Sequence, residues 1–238
     1  MVNHTVKSYD AELDDVERHI AEMGGLAEKM VMEAMDALSS ADAQLAHQVV
    51  ETDQRLDLLQ RQIEDLAVMT IARRQPVAID LRELIGAIRI AGDLERIGDL
   101  AKNIAKRSVK IGSEGRVARA IVGIKHMNEV ATELLKDVLD AYAQRDADRA
   151  REVWERDVDL DALEDSVFRD LLTHMMEDPR NISFCAHLLF CSKNIERIGD
   201  HATNIAETVV YLTTGQALPT DRPRGPQETD LGVGGGAA

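Results

Sequence analysis

The chain has 238 residues, 45% of them apolar, 30% charged and only 3% aromatic, with five prolines. That balance excludes a disordered polymer and points to a helical core built from Leu, Ile, Val, Met and Ala. The formal net charge of -15 argues against a direct reader of DNA or RNA, which needs basic side chains to neutralise phosphates.

Helical periodicity runs almost unbroken to Leu212 and predicts six helices. The first covers about residues 8–38. Its interior Gly24-Gly25 reads as a close approach of a neighbouring helix or as a kink. The second covers about residues 43–72. Gln75-Pro76 ends it, and Asp80 is the expected cap of a third helix reaching about Ile111. The fourth is expected from near Gly115 to near Ala143, and the fifth over about residues 147–176. Asp178-Pro179 breaks the pattern before a sixth helix over about residues 181–213. Beyond it, Pro219, Pro223, Pro226 and a run of glycines predict a disordered tail, residues 214–238.

No basic-then-apolar leader opens the sequence, and no uncharged apolar run approaches the roughly 18 residues of a membrane span. A cytoplasmic, reduced protein is expected. Cys185 and Cys191 sit about 120° apart on one helix, which makes a disulfide between them implausible and core thiols the simpler reading.

The helices repeat as a set. Asp53 and Asp57 align with Asp157 and Asp161 at an offset of 104, and Met23–Leu38 aligns with Met127–Tyr142 at the same offset. Pro76 aligns with Pro179, and Glu95-Arg96-Ile97-Gly98-Asp99 aligns with Glu196-Arg197-Ile198-Gly199-Asp200. A period of about 100 residues is too long for a solenoid. The expected fold is all-α: two pseudo-symmetric antiparallel three-helix bundles, residues 1–112 and 113–213.

On a helical wheel, Glu95, Asp99 and Asn103 continue a stripe that begins with Leu81, Leu84, Ile85 and Ile88. The opposite side carries Ile90, Leu94, Ile97, Ala101 and Ile104, so the third helix should be packed on both sides. The sixth helix repeats this, with Glu196, Asp200 and Asn204 following Ile182, Cys185 and Leu189. Two acids one turn apart on such a stripe need compensation. Arg96 and Arg197 offer part of it, and a bound cation is the other solution, because carboxylates at i and i+4 share a face. Asp53/Asp57 and Asp157/Asp161 are further candidate ligands on weaker grounds, preceded by Glu51 and Glu155. Asn103, Asn204, Arg96 and Arg197 are the candidate supporting residues behind the ligands. His201 is a candidate hydrogen-bond donor near them. Gly98 and Gly199 predict close helix approach. No Glu-x-x-His pattern, phosphate loop or Gly-x-Ser-x-Gly elbow is present. A rival reading is a carboxylate-bridged metal hydrolase or oxidase, which would need an activated water and a general base.

Glu22-Met23-Gly24-Gly25-Leu26, Asp93-Leu94-Glu95-Arg96-Ile97-Gly98-Asp99 and the segment Asn194–Glu207 together closely resemble the PhoU family of phosphate-signalling regulators, over about residues 5–213. The resemblance implies a non-enzymatic, cytoplasmic negative regulator of the phosphate-starvation response and of phosphate uptake. It implies contacts with the ATPase subunit of a phosphate ABC transporter and with a phosphate-sensing histidine kinase, and membrane association only through them. It implies metal ions, often multinuclear, at Glu95, Asp99, Glu196 and Asp200. It does not choose among iron, zinc, manganese and magnesium. The two-sided helices suggest a homodimer.

Overall fold

The computed structural model describes residues 2–112 and 118–219. Six long helices make the fold: α1 (Val2–Ser40), α2 (Ala43–Arg74), α3 (Ile79–Ile111), α4 (Ala118–Gln144), α5 (Ala147–Glu177) and α6 (Ile182–Thr214). A short 3-10 turn, Pro179–Asn181, precedes α6. No strand occurs among the described residues. The expected start of the fourth helix near Gly115 lies outside the described residues, as do residues 220–238 of the expected tail. Gly215, with φ 75, ends α6, and residues 216–219 are not helical.

Two helix starts are set by matching aspartates. The Asp42 carboxylate accepts the backbone N–H of Gln44 and Leu45 at 2.9 and 3.0 Å. The Asp146 carboxylate accepts those of Asp148 and Arg149, both at 3.0 Å. Each satisfies helix donors that have no partner within the helix. Asp80 does not cap α3, as had been expected. Ala78 stands at that position with φ 48 and no side-chain bond, so Asp80 is already inside the first turn. There its charge faces the positive end of the helix dipole.

The helices α1–α3 and α4–α6 form two bundles, and α3 packs along α6 while α1 packs on α4. The α3–α6 pair is antiparallel: Arg107 stacks on Phe190, Asp93 meets His201, and Gly86 lies against Leu212. Buried Ile90, Leu94 and Ile97 of α3 and Cys191, Ile195 and Ile198 of α6 belong to one continuous core with the other helices. The opposite stripe of α3 is less enclosed than the wheel implies. Leu84 is buried, but Leu81 and Ile85 are 37% and 39% exposed, and Ile182 on α6 is 49% exposed. These helices are fully packed on one side and half-covered on the other.

Candidate metal centres

The two repeated motifs lie near the middle of α3 and α6, and their glycines set how near the neighbours come. A Cβ on Gly98 would collide with the Leu56 side chain of α2, and one on Gly199 with the Leu160 side chain of α5. The same approach brings the α2 acids to α3 and the α5 acids to α6. Of the earlier pair, Gly24 is pressed by Leu139, whereas Gly25 faces open space. The close-approach reading therefore holds for Gly24 alone.

In the first half, Glu95, Asp99, Asp53 and Asp57 form one cluster. Burial pushes the Glu95 carboxyl above the usual glutamate range, and the charges of Asp99, Asp57 and Asp53 add to that against the pull of Arg96. Asp53 is buried and its carboxyl is likewise raised, by desolvation first. The Lys102 ammonium lies between two of these acids, bonding Asp53 Oδ2 at 2.6 Å and also Asp99 Oδ1. Desolvation works against its charge, but the two hydrogen bonds outweigh it and lift Lys102 to about 12. Arg96 reaches Glu95 and Asp99 more loosely, at 3.4 and 3.5 Å.

In the second half, Asp200 and Asp161 lie near enough to Glu196 to raise its carboxyl further, after burial as the main cause. Lys193 answers with an ion pair to Glu196 Oε1 at 2.8 Å. Glu196 Oε2 is buried with no hydrogen-bond partner. Asp157 is buried and comes close beside Gly199. Glu164, one turn after Asp161, joins this cluster and is raised by burial while Lys193 opposes it.

The supporting residues divide. Arg96 is exposed but reaches Glu95 and Asp99, and Arg197, Asn103, Glu51 and Glu155 are exposed as well. Asn204 points across the molecule and donates to Asp93 Oδ1 at 3.3 Å. His201 meets the same oxygen at 2.9 Å. Both residues therefore tie α6 to α3. Lys102, Lys193 and Glu164 were missed by sequence reasoning. A spacing signal existed: Lys102 follows Asp99 by three residues and Lys193 precedes Glu196 by three, each on the acid's own face.

Between the halves, a cleft of about 420 Å³ opens beside the first cluster, lined by Gln60, Arg89, Asp93, Glu95, Asn204 and Glu207 among others. Among the described residues, no group of three His, Cys, Asp or Glu side chains is assembled to hold an ion as it stands. The donor chemistry nevertheless suits a hard cation. Two carboxylates already converge on one ammonium, and a buried carboxylate oxygen lacks any donor.

The PhoU domain family matches the chain twice, over residues 20–108 and 124–209. It is 52% identical to the phosphate-specific transport system accessory protein PhoU homolog of Rhizobium meliloti (strain 1021), over 96% of this chain and 97% of that protein. It is 47% identical to the homolog of the same name from Caulobacter vibrioides (strain NA1000 / CB15N), over 94% of this chain and 97% of that protein. Among solved structures, the crystal structure of PhoU from Pseudomonas aeruginosa superposes with a TM-score of 0.85 at 43% identity, covering 87% of this chain and all of that one. The phosphate transport system regulatory protein PhoU from Streptococcus pneumoniae gives 0.82 at 26% identity, covering 89% and 99%.

Proposed function

The chain belongs to the PhoU domain family, and from that membership we propose that it is a non-enzymatic, cytoplasmic negative regulator of phosphate uptake and of the phosphate-starvation response. The observation that carries this reading is near-full-length similarity to phosphate-specific transport system accessory proteins, on a matching six-helix body. Such a body acts by contact. We assign it two partners, the ATPase subunit of a phosphate ABC transporter and a phosphate-sensing histidine kinase. No described helix is long and apolar enough to cross a membrane, which is compatible with docking on membrane proteins from one side.

Metal ions held at Glu95/Asp99 and Glu196/Asp200, with Asp53, Asp57, Asp157 and Asp161, would supply positive charge that draws α2 to α3 and α5 to α6. Glu196 Oε2 and the acids around Lys102 support this assignment. A homodimer through the half-covered side of α3 and α6 would shelter Leu81, Ile85 and Ile182.

The test is genetic. Deleting the gene in its host and growing cells in abundant phosphate should raise alkaline phosphatase, and a plasmid copy should restore repression. Enzyme levels that stay repressed in the deletion strain would remove the regulatory reading.

A further inference from the structure

We propose that the seam between α3 and α6 is a docking surface for an acidic segment of a partner protein, held by Arg89, Arg96, Arg107 and Lys110 of α3 and by Lys193 and Arg197 of α6. The proposal rests on the reading above of a regulator that acts by contact. It adds to that reading the surface used and the charge of what lies there.

The surface follows from two helical faces. On a wheel, Ile85, Arg89, Arg96, Asn103, Arg107 and Lys110 fall within about 60° of one another, with no acid in that arc. At the repeat offset of 101, Phe190 stands for Arg89, Lys193 for Gly92 and Arg197 for Arg96. A two-fold that exchanges two antiparallel helices stands normal to the pair, so equivalent side chains emerge on one face. The contacts agree. Arg107 crosses the seam to stack on Phe190, 4.0 Å from the ring centroid. Arg89 and Arg96 open on the cleft along the same seam, with Asn204 and Thr208, and Thr208 is the counterpart of Arg107.

These cations are available. Arg89, Lys110 and Arg197 are exposed, and no ion pair among the described residues uses them. The side chains of Arg96 and Lys193 are 61% and 58% exposed even though each touches an acid of its motif. In a chain of net charge -15, a basic strip about 30 Å long reverses the sign of the surface locally.

The flanks decide what fits. Asp57 and Glu64 share the side of α2 on which Gln60 meets the cleft, and Gln60 donates to Glu64 at 3.2 Å. On α5, Glu164 is near enough to feel both Lys193 and Asp161. The basic strip therefore runs between two acidic ones. A flat anionic bilayer would meet all three. A single helix about 10 Å across, laid over two helices packed about 8–10 Å apart, meets only the basic one. Opposite charge steers such a segment to the strip and fixes its register. A second copy of this chain suits the middle of the strip less well, because arginine would face arginine there. Leu81, Ile85 and Ile182, assigned above to a homodimer, sit towards its two ends.

The experiment uses the full chain, treated with chelator, and a fluorescein-labelled poly-L-glutamate peptide followed by fluorescence anisotropy. Wild type should bind the peptide with an affinity that falls as salt is raised. The combined Arg89→Ala, Lys110→Ala and Arg197→Ala variant should bind about tenfold more weakly or worse. Combined Lys29→Ala, Lys125→Ala and Lys136→Ala makes the same change in net charge at exposed positions of α1 and α4, and should stay close to wild type. Arg89→Lys with Lys110→Arg and Arg197→Lys keeps the charges and should bind as wild type does. If the seam alanine variant loses helix by circular dichroism, the single change Lys110→Glu takes its place and should also weaken binding. Failure of wild type to bind the peptide would overturn the proposal, as would equal losses in the two alanine variants. Seam-dependent binding to phosphatidylglycerol vesicles in place of the peptide would give the surface to a membrane. Self-association by sedimentation velocity that the seam variant abolishes, with no peptide binding, would give it to a second copy. On a plasmid in the deletion strain, the seam variant should fail to restore repression. Full restoration would overturn this surface while the regulatory reading stands. A deletion strain that stays repressed would overturn the regulatory reading and this proposal with it.

Discussion

Glu196 shows how much one side chain can carry. Its carboxyl is raised chiefly by burial, then by Asp200 and Asp161, with Lys193 opposing. A folded value above the unfolded one means that the native state keeps this proton longer. Its contribution is therefore favourable at low pH and is lost as pH rises through the raised value. In chelator-treated protein, Glu196→Gln should remove that loss: its Tm should exceed wild type at about pH 8, with the advantage gone at about pH 4. Equal Tm differences at both pH values would show that Glu196 is not titrating from a buried state. The glycines give a matched pair. Gly98→Ala should cost about 1–3 kcal/mol in urea unfolding, because the new methyl overpacks against buried Leu56. Gly25→Ala meets open space on a helix surface and should stabilise by up to about 1 kcal/mol. The sequence treated Gly24 and Gly25 as one feature. Only the neighbour Leu139, more than a hundred residues away, distinguishes them.

At the level of elements, helix lengths and breaks were legible because periodicity and Pro76 and Pro179 are local signals. Caps were less so. Asp42 and Asp146, at equivalent places in the repeat, each accept two backbone N–H groups, and neither was singled out. Asp42→Ala and Asp146→Ala should each cost about 1 kcal/mol by chemical denaturation. Asp80 looked like a cap because it follows a proline break. The chain turns two residues earlier, through Ala78 at φ 48, and the helix begins at Ile79. Asp80→Ala should therefore cost less than either true cap substitution. The half-covered side of α3 has a similar cause. A wheel shows that Leu81 and Ile85 are apolar, but not whether another helix comes to meet them.

Across the whole molecule, the two repeats share one core, and α3 and α6 bury their main apolar sides against each other. Polar ties reinforce the junction: Arg145 reaches Glu17 of α1 and Glu83 of α3, both at 2.7 Å, and His201 and Asn204 share Asp93. The repeats are thus units of sequence whose cores are joined. Thermal unfolding should show one transition, coincident by calorimetry and circular dichroism. A fragment covering residues 113–213 should fail to fold as a stable monomer, since it would expose the side of α6 that α3 covers. Two resolved transitions, or a cooperative fragment, would contradict this.

By itself the sequence determined the helical class, the duplication, the eight repeated acids and the family resemblance. Each is written in spacing along the chain, and spacing survives without coordinates. Tertiary structure alone decided which charges answer those acids. Asn204 has the same wheel position relative to its motif as Asn103, yet it crosses to Asp93 while Asn103 stays exposed. Lys102 carries a local signal towards Asp99, but its reach to Asp53 depends on how closely α2 packs on α3 at Gly98. Duplicated spacing implies two equal sites. Packing places a partly covered ammonium in one and an unpartnered carboxylate oxygen in the other, because compensation depends on which long side chain can span a gap between helices that are far apart in sequence.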